Sequence, residues 1–229
     1  MIINCPYKNK CNGKDCDKDF CIRKYKLDTL YSNSLLADNY KVRKPLVCDD
    51  NGTDYDEFVK LAEIERDIKD FVGQGKNLYI HSATPGNGKT SWSIRLIQSY
   101  FDAIWAKTDL TCRALFISVP RFLLALKENI SKKSEYVSFI QENILTADLV
   151  VWDDIAAKVG SEFEVNHLLS LIDNRMAQNK CNIFTSNLDR DHMYDALGER
   201  IASRICNMSI EIEFHGKDKR FLVEQGGNE

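Results

Sequence analysis

A short run of small residues that ends in a lysine and a threonine has the composition of a phosphate-binding loop. Backbone N–H groups can face phosphate oxygens only where side chains stay clear of the loop, and Gly86 and Gly88 meet that requirement. A helical pattern follows directly, and the N-terminus of a helix favours anions. The residues that we expect to contact a nucleotide are Pro85, Gly86, Asn87, Gly88, Lys89 and Thr90.

The spacing of this run matches the P-loop pattern G-x-x-x-x-G-K-[ST], with one departure. The first glycine of the pattern is Ala83 here, and alanine does not readily take backbone angles at positive φ. A β-rich run from Asn77 to His81 precedes the loop, as the pattern requires. In such a loop the lysine, Lys89, reaches the outer phosphates and the Thr90 hydroxyl ligates Mg²⁺. The pattern therefore predicts ATP and Mg²⁺ as ligands.

Two adjacent carboxylates supply the second half of this predicted site. The apolar run from Asp148 to Trp152 leads into Asp153 and Asp154, an arrangement that resembles the Walker B strand of ATPases. Asp153 would hold the Mg²⁺, directly or through water, and Asp154 would polarise the attacking water. Because two neighbouring carboxylates repel each other, a bound cation is physically favourable there.

The elements that must position these residues alternate between strand and helix. Helical patterns separate β-rich runs at 77–81, 114–119, 148–152, 182–185 and 208–214. This alternation predicts an α/β fold, a parallel sheet covered by helices, with its ligand site at the carboxyl ends of the strands. Residues 37–53 contain Pro45, Gly52 and many charges, which is typical of a linker. We place the domain boundary there, between an N-terminal module at 1–50 and an ATPase domain at 51–229.

Charge and hydropathy exclude several classes of protein. A formal net charge of -3 over 229 residues excludes binding to nucleic acid through overall charge. Contact with DNA must then come from a local patch or from several subunits around a channel. No apolar run is long enough to span a bilayer, and residues 1–10 lack the apolar core of a signal peptide. We therefore expect a cytoplasmic protein with no membrane partner.

Two further motifs narrow the class of ATPase. Residues 182–187 form an apolar run that ends in Asn187, which resembles the sensor 1 strand of AAA+ ATPases, although Asn187 alone would equally suit a turn or a helix cap. Arg200 and Arg204 follow in the sequence Gly-Glu-Arg-x-x-x-Arg, one helical turn apart on the same face. The order of all these motifs resembles the DnaC/DnaI group of bacterial and phage helicase loaders. This resemblance covers nearly the whole chain, including its Cys-rich start.

The resemblance implies an AAA+ P-loop fold without a C-terminal helical lid. It also implies that Arg204 is an arginine finger inserted into the ATP site of a neighbouring subunit, a role that suits a planar, permanently charged guanidinium. The role of Arg200 stays open, and surface ion pairs are the alternative for both arginines. Whether Arg175 faces a neighbouring subunit also stays open. The catalytic residues that the resemblance implies are Asp154, Asn187 and Arg204.

The partners follow from the same resemblance. It implies hydrolysis of ATP, self-association through the ATP sites, and loading of a DnaB-type hexameric helicase onto single-stranded DNA during replication.

The polar N-terminal stretch carries four closely spaced cysteines, at Cys5, Cys11, Cys16 and Cys21. Tetrahedral zinc takes four thiolates, and the metal can supply folding energy that a stretch without apolar residues lacks. Disulfides are disfavoured in the cytoplasm, so zinc is the prediction and reduced, metal-free cysteines are the alternative. By resemblance to DnaI-like loaders, this module binds the helicase. Four leucines that follow would contact the helicase or pack on the module itself: Leu27, Leu30, Leu35 and Leu36.

Two other functions are compatible with the same motifs. An IstB-like ATPase subunit that assists a transposase would share the fold, although the Cys-rich start argues against it. A non-hydrolysing zinc adaptor would keep the nucleotide as a structural element. Helicase pull-downs, and ATPase assays with Lys89→Ala and Asp154→Asn, separate these functions from that of a loader.

Overall fold

The protein is described here by a computed structural model that covers residues 18–46, 52–129, 133–157 and 161–219, without the side chains of residues 18–20. Its five strands form a single sheet. They are β1 (Asn77–His81), β2 (Ala114–Ser118), β3 (Leu149–Asp153), β4 (Cys181–Ser186) and β5 (Ser209–Glu213). The predicted strands in the described residues are confirmed, each to within one or two residues.

All the strand pairs are parallel, in the order β2-β3-β4-β1-β5. The register aligns His81 with Ser186 across β1 and β4, and Ser118 with Asp153 across β2 and β3. The carboxyl ends of β1, β3 and β4 therefore meet at one edge of the sheet, where a ligand site is expected in parallel folds.

Eight α-helices surround the sheet in the described residues. They are α1 (Lys18–Ser32), α2 (Tyr55–Arg66), α3 (Ile68–Gly73), α4 (Lys89–Ile104), α5 (Val119–Glu128), α6 (Glu135–Asn143), α7 (Glu162–Ala177) and α8 (Arg190–Asn207). The apolar spacing of residues 54–71 predicts a single helix, which is wrong in one respect, because Asp67 has non-helical backbone angles and separates α2 from α3. Gly198 predicts an interruption of the last helix, which is confirmed, since this residue has φ 76° and ψ 162° inside α8. None of the helices in the described ranges is both long and apolar enough to cross a bilayer.

The central strands β1, β3 and β4 are buried on both faces of the sheet, and each face has its own hydrophobic core. Val150 and Trp152 of β3 point into the core beneath α5, α6, α7 and α8. Leu149 and Val151 of the same strand point into the core beneath α1, α2, α3 and α4. Burial on both faces explains why these strands are almost continuously apolar in sequence.

Helix α1 packs on the sheet-covering helix α4. Leu30 and Leu36 are buried in the core beneath α4, and the Tyr31 ring meets the Phe101 ring edge-on at 5.2 Å between centroids. Leu30 and Leu36 therefore pack on the core of the α/β domain, which corrects both expectations for these two. Leu27 and Leu35 are half-buried against the cores, and their contact with the helicase stays a prediction.

The segment after α1 also covers the open edge of the sheet at β2. The Phe116 N–H donates to the Ser34 carbonyl at 2.8 Å, and the Asn33 amide donates to the Leu110 carbonyl at 2.9 Å. Covering an edge strand in this way removes unpaired backbone groups that would favour aggregation. Residues 30–36 thus pack against the α/β domain, while the division near residue 50 stays a prediction.

Candidate nucleotide and metal site

The loop between β1 and α4 has the backbone conformation that its glycines permit. Gly86 has φ 75° and Gly88 has φ 111°, both in the left-handed region that disfavours any residue with a Cβ. Ala83, which replaces the first glycine of the motif, is not among the described residues with positive φ. The departure from the motif therefore introduces no backbone strain at that position.

Side chains inside the loop hold its shape. The Ser82 hydroxyl accepts a hydrogen bond from the Thr84 N–H at 3.1 Å and another from the Asn87 side-chain amide. The Lys89 ammonium, which is buried, donates to the Thr84 carbonyl at 3.1 Å and to the Asn87 Oδ1 at 3.2 Å. The ammonium is thus folded over the loop, at the N-terminus of α4, where an anion is favoured.

Asp153 and Thr90 face each other across the site. The Thr90 Oγ1 donates to the Asp153 Oδ1 at 2.9 Å, which joins the start of α4 to the end of β3. Burial raises the pKa of the Asp153 carboxyl, the Thr185 hydrogen bond opposes that rise, and the neighbouring charge of Asp154 adds to it. A carboxylate and a hydroxyl oxygen at this separation are the hard donors that Mg²⁺ prefers, so the residues fit the predicted metal.

Thr185 is a third member of the site, and no role is assigned to it from the sequence motifs. Its Oγ1 donates to the Asp153 Oδ1 at 2.8 Å and accepts from the Asp154 N–H at 3.0 Å. Asp154 has φ 55°, so the hydroxyl stabilises a strained backbone at the predicted water-polarising residue. The sequence feature that could have pointed to Thr185 is the Thr-Ser-Asn run at the end of β4, if β3 and β4 are taken to be neighbours.

Asn187 lies directly after β4 and is exposed. It does not cap helix α8, because the N-cap is Asp189, whose carboxylate accepts from the His192 N–H at 2.9 Å. The helix-cap interpretation of Asn187 is therefore wrong. Its position beside the end of β3 is the one expected of a sensor residue, and the sensor role stays a prediction.

Arg204 lies on α8, where it is ion-paired with Asp173 of α7 through its Nε. Its Nη1 also donates to the Arg200 carbonyl at 3.2 Å. The Arg204 side chain keeps 35% exposure, and Arg200 is exposed as well. Both arginines therefore lie at the surface of α8. The ion pair of Arg204 matches the alternative interpretation of this residue, and its role as a finger stays a prediction.

Arg175 does not face a neighbouring subunit. The side chain is fully buried, and burial lowers the pKa of its guanidinium to about 10. Its five N–H groups donate to Asn182 Oδ1 and to the backbone carbonyls of Ile144, Ala147, Asp148 and Cys181. Arg175 thus ties the N-terminal ends of β3 and β4 to α7 and serves the fold.

Most of the predicted zinc ligands lie outside the described residues, namely Cys5, Cys11 and Cys16. Cys21 is described and lies half-buried on α1. Within the described ranges, no group of three or more His, Cys, Asp or Glu side chains is placed to hold a metal. Three other cysteines, predicted as core residues, are buried as expected: Cys112, Cys181 and Cys206.

Comparison with solved structures relates the fold to replication proteins. The DnaC helicase loader matches with a TM-score of 0.62 and 17% identity over 78% of this chain and 99% of that chain. DnaI matches with a TM-score of 0.60 and 22% identity over 82% of this chain and 95% of that chain. The replication initiator DnaA, bound to AMPPCP and single-stranded DNA, matches with a TM-score of 0.58 and 18% identity over 84% of this chain and 55% of that chain.

No family profile matches the sequence, and no curated protein matches it either. The structural matches show that the described part of the chain shares the fold of these replication proteins, a parallel five-stranded sheet with covering helices. They confirm, in fold, the resemblance to DnaC/DnaI-type proteins that the motifs predicted.

Proposed function

We propose that this chain binds and hydrolyses ATP with Mg²⁺, and that it loads a DnaB-type hexameric helicase onto single-stranded DNA during replication. The observation that carries the nucleotide site is the 2.9 Å contact between the Thr90 hydroxyl and the Asp153 carboxylate, at the mouth of a glycine-containing loop. A phosphate-binding loop and a cation-binding carboxylate at one edge of a parallel sheet are the two parts that phosphoryl transfer needs.

Each residue of the site has a separate task in this proposal. The loop amides and Lys89 bind the phosphates, while Thr90 and Asp153 hold the metal. When bound, Mg²⁺ supplies positive charge that offsets the negative charge on the phosphates. Asp154 orients the attacking water, and Asn187, after the neighbouring strand, hydrogen-bonds near the terminal phosphate.

Arg204 completes the site of a neighbouring subunit. A guanidinium with a partly exposed side chain, fixed at its Nε by Asp173, can present its remaining N–H groups beyond the surface of α8. Self-association through the ATP sites follows from this role. Because the net charge is -3, contact with single-stranded DNA depends on several subunits placing local basic groups along one path.

The loader activity is supported by the shared fold with the DnaC helicase loader and DnaI. In our proposal the N-terminal cysteines, Cys5, Cys11, Cys16 and Cys21, bind zinc and form the module that contacts the helicase. Cys21 lies on α1, which packs on α4, so the module would be joined directly to the helix that begins at the phosphate loop. Metal analysis of the purified chain, with Cys5→Ser and Cys11→Ser as comparisons, tests the zinc assignment.

Co-purification with a DnaB-type helicase in ATP and in ADP tests the function as a whole. We expect helicase capture in ATP, a weaker complex in ADP, and loss of this difference in Lys89→Ala. Lys60→Ala is the matched control, because Lys60 is an exposed lysine that is ion-paired with Glu57 of its own helix, away from the loop. Capture of a transposase instead of a helicase, or equal behaviour of Lys89→Ala and the wild type, would contradict the proposal.

A further inference from the structure

The chain does not leave the sheet when β5 ends, but turns back across the phosphate-binding loop. We call residues Phe214–Lys219 the strap. Its first residue continues the strand ladder, since the Phe214 N–H donates to the His81 carbonyl at 2.9 Å. Its last residue reaches the loop itself, where the Lys219 N–H donates to the Gly86 carbonyl at 3.0 Å. The strap therefore joins the end of the sheet to the glycine at the centre of the loop.

Asp54 anchors the middle of the strap. This residue stands at the N-cap of α2, where an aspartate ordinarily accepts from an amide of its own helix, but it makes no such bond. Its Oδ1 instead accepts from the His215 N–H at 2.7 Å and from the Gly216 N–H at 3.1 Å. The carboxylate is fully buried. Asp54 thus accepts hydrogen bonds from a segment that begins 161 residues away, at His215, and not from its own helix. We infer from this that Asp54 positions the strap.

The contact between Asp54 and the strap leaves no room for a residue larger than glycine at position 216. A Cβ added at Gly216 would lie 2.4 Å from the Asp54 Oδ2. The Lys219 ammonium, which is largely buried, lies 3.8 Å from the same oxygen and 4.8 Å from the centre of the Phe58 ring. The strap is thus held on α2 by the Asp54 carboxylate, by the Phe58 ring and by the close approach of the Gly216 backbone.

We propose that Asp54 and the strap are positioning elements for nucleotide binding, an inference that rests on the proposed ATP site. In a phosphate-binding loop the amides face the ligand, so the carbonyls point outward and need partners on the other side. The Lys219 N–H is such a partner for Gly86, whose positive φ is one of the two that shape the loop. Fixing this carbonyl reduces the conformational freedom that the loop loses when it binds a triphosphate.

The coupling between strap and nucleotide must be reciprocal. If the docked strap strengthens nucleotide binding by some factor, bound nucleotide stabilises the docked strap by the same factor. A residue with only a structural role would change the stability of the fold but would not show this reciprocity.

Measurements of Mg²⁺-ATP affinity on three variants of the full chain test the proposal. We expect Asp54→Ala and Gly216→Ala to bind Mg²⁺-ATP roughly 5- to 10-fold more weakly, the low end of typical couplings, with little change in the turnover rate at saturation. Asp54→Asn keeps the Oδ1 acceptor for both amides but loses the charge that faces Lys219, so its affinity should lie between those of the wild type and Asp54→Ala. The matched control is Gly73→Ala, because an added Cβ there meets nothing within 4 Å.

Hydrogen exchange of the wild-type chain gives a second result that does not depend on the stability of any variant. Mg²⁺-ATP should slow exchange at the amides of His215, Gly216 and Lys219 by the same factor that the variants lose in affinity. If the wild type binds ATP, but the variants bind equally well and the strap amides gain no protection, the strap proposal is wrong while the proposed ATP site stands. If the wild type binds no ATP, both proposals fall.

Discussion

Replacing Thr185 with valine removes one hydroxyl from the metal site and keeps the shape of the buried side chain. The hydroxyl is 2.8 Å from the Asp153 Oδ1, to which it donates, and 3.0 Å from the Asp154 nitrogen, from which it accepts. Hydrogen bonds to charged groups contribute about 1.5–3 kcal/mol each and neutral ones about 1 kcal/mol. We therefore expect Thr185→Val to lower the free energy of unfolding by about 2.5–4 kcal/mol, measured by urea denaturation.

The same change should weaken the response to metal. The Thr185 hydrogen bond lowers the pKa of Asp153, so its loss raises that pKa further and makes the carboxylate less available to Mg²⁺. Titration of Mg²⁺ at fixed ATP should need a higher concentration for half-maximal binding. Thr185→Ser keeps the hydroxyl and is the matched control. If valine leaves both the stability and the Mg²⁺ requirement unchanged, Thr185 has no part in the site.

Three further predictions concern charged residues. Arg175→Met should lower the free energy of unfolding by roughly 3–5 kcal/mol, because it leaves several buried carbonyls without donors. A decrease below about 1 kcal/mol in urea denaturation would contradict this prediction. The pKa of Asp153 is raised in the folded state, so the ionised carboxylate destabilises the fold at pH values above its unfolded pKa. Asp153→Asn should therefore raise the melting temperature at pH 7, and this gain in stability should shrink as the pH falls. The same change should abolish Mg²⁺-dependent ATP binding. A gain in melting temperature of Asp153→Asn that grows toward acidic pH would contradict this prediction. Arg204→Ala and Lys89→Ala should each be inactive as ATPases but regain activity when mixed, whereas full activity of Arg204→Ala alone would exclude the finger.

The phosphate loop and the metal carboxylate could be predicted because their signals are local. The glycines, Lys89 and Thr90 lie within a few residues of one another, and Asp153 is marked by the apolar strand that precedes it. The order of strands and helices followed from the same kind of evidence, since β2, β3 and β4 are short, mostly apolar runs. Even the break at Gly198 could be anticipated, because glycine interrupts a helical pattern.

The contacts that hold the site together could not be predicted, because they join residues far apart in sequence. Thr185 reaches Asp153 only because β3 and β4 are neighbours, and Asp54 reaches Gly216 only because the chain turns back after β5. The role of Arg175 stayed open in the sequence for the same reason. Its N–H groups find acceptors in the interior, most of them from residues distant in sequence, and these acceptors permit its burial.

Isothermal titration calorimetry with Mg²⁺-ATP tests the central claim, that the loop before α4 binds a triphosphate with its metal at Thr90 and Asp153. We predict one binding event per chain in the wild type, a much weaker event when Mg²⁺ is removed, and no measurable binding by Lys89→Ala. An absence of heat in the wild type together with no displacement of labelled nucleotide, or equal binding by Lys89→Ala, would contradict the account.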